Sequence, residues 1–265
     1  MNNQPRGRNA DATPHSDKMS PDFPSGFPLD FLDLRTANLS SLRDDALTGL
    51  RRGQKYLHPK YLYDARGSEL FERITLQPEY YLTQAEQEIL DANAERIVTE
   101  IADNECLWLI ELGAGSGKKT RRLLSALEKR NGARYFPIDI SSEFLRESRN
   151  ALHREFPTIP MHALCAEFSD GVAHAIKMRD QHDTKARAVV YFPGSTVGNF
   201  TRDEARQFFQ NTRTLLRRND VLLLAADMQA DNNGKPISAL HKAYNDKAAI
   251  TADFILNILH RLQRE

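Results

Sequence analysis

The apolar positions of this chain follow two rhythms. From residue 107 onward, short apolar runs alternate with amphipathic stretches at helical spacing. The runs L-W-L-I-E-L (107–112), A-R-Y-F-P-I-D-I (133–140), M-H-A-L-C-A-E-F (161–168), R-A-V-V-Y-F-P-G-S (187–195) and D-V-L-L-L-A-A-D-M (220–228) predict five strands. Helices are predicted between them, from Lys118 to Arg130, from Ser141 to Phe156, over 171–179 and from Thr201 to Arg217. Ser141 or Ser142 suits a helix start, as do Asp203 and Glu204 in a first turn. Strands apolar along nearly their whole length are buried on both faces. The alternation therefore predicts an α/β fold with a doubly wound, Rossmann-like parallel sheet.

The rest of the chain reads differently. Residues 1–25 are polar and rich in Asn, Pro, Ser and Gly, and are expected to be disordered. Residues 26–100 are mostly helical in pattern. Leu39 to Leu50 and Thr83 to Thr99 have helical spacing, and Thr83 with Glu86 three residues on predicts a capping box. A tyrosine-rich stretch lies between those helices. After Met228 comes a loop and then one predicted helix from Ala243 to Arg264.

Composition narrows the function classes. Lys plus Arg number 36 and Asp plus Glu number 36, so no global basic field draws the chain to nucleic acid or to an anionic membrane. No apolar run reaches the roughly 18 residues of a membrane span, and the N-terminus lacks a secretory apolar core. The two cysteines, Cys106 and Cys165, make neither a disulfide framework nor a zinc site. They read as small core residues, and a cytoplasmic setting is expected.

Chemistry concentrates at the ends of the predicted strands. E-L-G-A-G-S-G-K-K-T (111–120) follows a strand and opens a helix. A phosphate-binding P-loop needs Gly where Leu112 stands and Ser or Thr where Lys119 stands, so that reading fails. The dinucleotide fingerprint fails too, because its third glycine falls one residue early. What remains is G-x-G-x-G after an acid, a pattern common among S-adenosylmethionine (SAM) methyltransferases; a purely structural tight turn is the alternative. Asp139, ending the second strand, is placed to accept from ribose hydroxyls, or else is a solvated loop acid. Glu167 and Phe168, after the third strand, suit an adenine amino group and ring, or else a helix cap and a core aromatic. F-P-G-S-T-V-G-N-F (192–200) clusters hydroxyls and the amide of Asn199 beside the expected cofactor, and Asn199 can both donate and accept. No clustered His/Asp/Glu set for a metal is present.

Several stretches together carry a sharper resemblance. They are Y-L-Y-D-A-R-G-S-E-L-F-E-R-I-T-L-Q-P-E-Y-Y-L-T-Q-A-E (61–86), E-L-G-A-G-S-G-K-K-T-R-R-L-L (111–124), F-P-I-D-I (136–140), G-S-T-V-G-N-F (194–200) and the segment around Asp227 and Tyr244. With these the chain resembles the L-histidine Nα-methyltransferases of ergothioneine biosynthesis, which make trimethylhistidine (hercynine). That family also contains fungal enzymes that methylate dimethylallyltryptophan. The resemblance implies SAM as cofactor, contacted by Gly113, Gly115, Lys119, Asp139, Glu167 and Phe168. Glu167 stands where the family often has Asp. It further implies a small amino-acid substrate held by Tyr63, Tyr80, Asn199 and Tyr244, with no nucleic-acid or membrane partner. The implied organisation is a disordered segment 1–25, a SAM-binding domain 83–230, and a smaller, mostly helical substrate domain from 26–82 and 231–265. Family members continue well beyond the equivalent of residue 265. The last two sheet strands and the acid that recognises the imidazole are then absent here, and three explanations of the open sheet edge stand: a covering partner, a truncated product or a reduced fold. Two rival readings stay open: a truncated, non-catalytic homologue, and a nicotinamide-dependent oxidoreductase on a related sheet.

Overall fold

A computed structural model describes residues 31–35, 42–102, 106–130, 132–230 and 234–264. The polar segment 1–25 lies outside them. Six strands, β1 (Phe31–Asp33), β2 (Leu107–Leu112), β3 (Ala133–Asp139), β4 (Ala163–Cys165), β5 (Arg187–Phe192) and β6 (Val221–Leu224), form one sheet in the order β1-β4-β3-β2-β5-β6. Every neighbouring pair is parallel. The chain winds outward from β2 in one direction through β3 and β4, then returns to add β5 and β6 on the other side. The reversal opens a crevice at the carboxyl end of β2, where sheets of this kind bind ligands.

Both faces of the central strands are covered, which is why those strands read as nearly continuous apolar runs. All of β2 is buried, and its residues alternate between two cores. Leu107 and Leu109 join the core under α3 (Tyr81–Ala102), α4 (Thr120–Glu128) and α5 (Ser142–Glu155). Trp108, Ile110 and Leu112 join the core under α6 (Phe168–His182) and α7 (Arg202–Leu215). Trp108 stacks on Phe136 with ring centroids 4.5 Å apart. Burying each such side chain contributes about 1.5–3 kcal/mol.

A second body of helices sits over the carboxyl end of the sheet. It combines α1 (Leu42–Leu50), α2 (Ala65–Thr75), α8 (Ile237–Ala243) and α9 (Ile250–Arg264). Leu70, Ile74, Tyr80, Leu82, Ala243, Ile250 and Phe254 form its core. Asp64 caps α2 by accepting from Gly67 N at 2.8 Å, and also accepts from Asn257 Nδ2 of α9 at 2.7 Å. One carboxylate thus starts a helix and ties two distant parts of the chain together.

The structure corrects four expectations. Phe31–Asp33, inside a stretch read as mostly helical, is a strand paired with β4. The single C-terminal helix is two: Ala249 has φ 58°, and Asp246 accepts from Ile250 N at 2.9 Å and Thr251 N at 2.8 Å, so α9 begins afresh there. The capping box at Thr83 does not form. The helix starts two residues earlier, at Tyr81, and the Glu86 carboxylate is taken by groups across the fold. Finally, β6 is covered on one face only. Val221 and Leu223 pack inward, whereas Leu222 and Leu224 are 39% and 41% exposed. Among the described residues no strand pairs with its outer edge, and no helix is long and apolar enough to cross a membrane.

Candidate active site

The glycine loop follows directly from β2. Gly113, Gly115 and Gly117 have φ of 67°, 53° and 64°, and Gly113 N and Ala114 N both donate to Ile138 O of β3, at 2.8 and 3.1 Å. At Gly117 an added Cβ would lie 2.6 Å from Leu152 Cδ1, so a side chain there meets both strain and a clash. Beneath the loop, Glu111 is buried and accepts from Thr120 Oγ1 at 2.5 Å and from the Tyr135 hydroxyl. Burial pushes its carboxyl up to about 7, against the pull of those hydrogen bonds and of Lys119. Lys119 is the N-cap residue of α4, so the helix presents its amino end to the crevice.

A cavity of about 510 Å³ opens above this loop. All six expected cofactor residues, Gly113, Gly115, Lys119, Asp139, Glu167 and Phe168, line it. Asp139 accepts from Gly115 N and from Ser141 N, each at 3.0 Å. Burial raises its carboxyl, and the backbone N–H groups oppose the rise. Phe168 begins α6 and meets Phe192 at 5.4 Å, edge to face. Glu167 precedes it, and its Oε1 already accepts from Lys60 Nζ at 2.8 Å.

The other wall of the cavity is aromatic. After β5 the chain passes through Gly194 (φ 74°) and Ser195 (φ 56°) into a short 3-10 turn, Thr196–Asn199. Burial pushes the phenol of Tyr63 well above its ordinary value. Tyr63 meets Phe254 at 5.3 Å and Phe71 at 5.6 Å. Tyr80, also pushed up by burial, lies 6.2 Å from Phe71 and 6.0 Å from Tyr244. Tyr63, Tyr80 and Asn199 line the cavity. Tyr244, 52% exposed, packs edge to face on Tyr80 and is not among the residues lining the cavity.

Comparison with known proteins matches residues 42–265 to the model of one family, described as histidine-specific methyltransferase, SAM-dependent. The chain belongs to this family. It is 36% identical over 226 residues to histidine N-alpha-methyltransferase of Mycobacterium tuberculosis, and 35% identical over 226 residues to the protein of the same name in Mycolicibacterium smegmatis. Each alignment covers 85% of this chain and 66% of the relative. Ergothioneine biosynthesis protein 1 of Neurospora crassa is 33% identical over 237 residues, covering 86% of this chain and 25% of that protein. The chain thus spans just under two thirds of the length of the first two relatives.

SAM is the cofactor of this methyltransferase family, and the residues present fit it. Backbone amides at a helix start suit the amino-acid end, and Asp139 keeps lone pairs free for two hydroxyls. Phe168 offers a ring wall for a purine. The cavity also contains residues that sequence reasoning missed. Lys60 reaches Glu167 from a neighbouring segment, and Phe71 adds to the aromatic wall, packed from outside the lining by Phe254. Phe71 lies in the quoted motif, but nothing in its spacing marked it as more than core. Glu86 carried a signal for a helix cap only.

Proposed function

We propose that this chain binds SAM between the glycine loop, Asp139 and Phe168, and uses it to methylate the α-amine of an amino acid, L-histidine, through to the trimethylated product. One observation carries this reading: a single cavity is lined by the glycine loop and Asp139 on one side and by Tyr63, Tyr80 and Asn199 on the other. The cofactor supplies an electrophilic methyl group. The acceptor amine attacks in line only with a free lone pair, so the protein's work is alignment and stabilisation of the neutral amine. Tyr63 and Tyr80 hold their protons, because burial raises both phenols. They act as neutral hydrogen-bonding groups and aromatic walls rather than as phenolates. Asn199 lines the same cavity and offers both a donor and an acceptor to a charged head group. In this reading the helices from 42–75 and 237–264 are the amino-acid side, and Tyr244 acts through Tyr80.

The test is incubation of the chain with methyl-labelled SAM and L-histidine, followed by mass analysis of the amino acid. Stepwise addition of up to three methyl groups supports the proposal. A folded chain that binds S-adenosylhomocysteine yet methylates no α-amino acid contradicts it.

The open β6 face favours a second reading, in which the chain binds SAM but turns over only when another polypeptide covers Leu222 and Leu224. Exposed leucines side by side on a sheet edge are an association surface. Self-association on a sizing column, abolished by charged substitutions at both leucines, would support it.

A further inference from the structure

Glu86 sits on α3, a helix that contributes no residue from the glycine loop or the strand ends, and its side chain is only 11% exposed. Its two carboxylate oxygens accept from Gly194 N at 3.1 and 3.0 Å. Oε2 also takes Lys119 Nζ at 2.5 Å, and Oε1 takes the Tyr191 hydroxyl at 3.3 Å. Three elements therefore converge on one carboxylate: the start of α4, the end of β5 and the turn that leads to Asn199. Lys119 and Gly194 line the cavity, but Glu86 does not; it lies behind them. At Gly194 an added Cβ would stand 3.3 Å from Lys119 Nζ, so ammonium and turn pack directly on each other.

We infer that Glu86 is a positioning residue that couples the cofactor side of the cavity to the amino-acid side by holding Lys119 and the Gly194–Asn199 turn together. The inference rests on the SAM reading above. An ammonium has three N–H donors. With one spent on Glu86, the others are aimed from a fixed point toward the glycine loop. The pair is neutral as a unit, which suits a zwitterionic amino-acid end better than a polyphosphate. The same carboxylate satisfies the amide of Gly194, whose φ of 74° leaves it outside regular structure. A ligand that draws on Lys119 thus meets a turn already set for Asn199.

The two arms separate by substitution. Glu86→Gln keeps a carbonyl acceptor for Gly194 N and loses the charge that fixes Lys119. Glu86→Ala loses both. Calorimetric titration with S-adenosylhomocysteine should show Kd raised about 10-fold in Glu86→Gln, with Tm within about 3 °C of wild type. The Glu86→Gln/Lys119→Met double variant should bind no more weakly than Lys119→Met alone, because Glu86 acts through Lys119. Hydrogen exchange of the amides at 194–199 should accelerate about 5-fold or more in Glu86→Ala and stay near wild type in Glu86→Gln. Additive losses in the double variant, or equal exchange in both single variants, would reduce Glu86 to a structural residue and overturn the inference. Wild-type binding with unchanged affinity in Glu86→Gln would overturn it alone. A wild-type chain that binds no S-adenosylhomocysteine would overturn the SAM reading together with it.

Discussion

The cofactor side of the cavity comes from one run of chain, between Glu111 and Phe168, and much of it is backbone held in shape by glycines and short hydrogen bonds. The side proposed for the amino acid comes from separated stretches, around Tyr63, Tyr80 and Asn199, with Phe254 packed behind Tyr63 and Phe71, and is mostly aromatic side chains. The first surface is stable because strands and helix starts dictate it locally. The second exists only once α2, α9 and the turn after β5 have packed together. The two sides should therefore fail differently when perturbed.

The largest expected effect is on the aromatic side. Phe254 is 7% exposed and touches both Tyr63 and Phe71, so Phe254→Ala should cost about 3–5 kcal/mol in urea unfolding. It should abolish amino-acid binding while S-adenosylhomocysteine affinity stays within about 3-fold. Equal loss of both ligands would erase the distinction between the two sides.

Protonation should act on the cofactor side, since the raised phenols of Tyr63 and Tyr80 do not titrate near neutrality. Glu111, raised by burial from 4.5 to about 7, holds its proton more tightly folded than unfolded. The contribution of Glu111 to stability is therefore greatest below the unfolded value and falls as pH rises from about 4.5 to about 7, by on the order of 3 kcal/mol. Glu111→Gln should flatten the fall in Tm between those limits. An unchanged slope would show that Glu111 ionises freely in the fold.

Asp139→Asn should weaken S-adenosylhomocysteine binding about 10- to 100-fold, because an amide N–H₂ would replace one of the two acceptors now facing Gly115 and Ser141. Calorimetry reads this directly, and wild-type affinity in the variant would remove Asp139 from the cofactor site. The smallest effect is expected for Tyr63→Phe. Losing a hydroxyl from the cavity wall should raise the amino-acid Kd about 3- to 10-fold and leave cofactor affinity unchanged.

How far each side could be read from the sequence follows from how it is built. The runs at 107–112 and 187–192 alternate between two cores and are apolar but for Glu111 and Arg187, so they are legible as buried parallel strands. The glycine loop was legible because positive φ at fixed offsets restricts residue type. β1 was not, since three residues carry no period that could outweigh a helical neighbourhood. The break before α9 was missed because Asp246 acts as a cap only in a chain already turned by Ala249. Glu86 was misread for the same reason. Thr83 and Glu86 have the spacing of a local cap, but a lysine and a backbone amide from across the fold compete for the carboxylate and win. Tyr63 and Tyr80 are legible through resemblance alone and the packing of Phe71 and Phe254 on them is not legible at all, since Tyr63 and Phe254 are far apart in sequence and 5.3 Å apart in space.

The central claim is that one cavity holds a SAM-type cofactor and an amino acid side by side. Sequential calorimetry tests it most directly, first with S-adenosylhomocysteine and then with L-histidine added to the saturated chain. The account predicts stoichiometric binding of the first, followed by saturable binding of the second that Tyr63→Phe weakens. A cooperatively folded chain that binds neither ligand would contradict it.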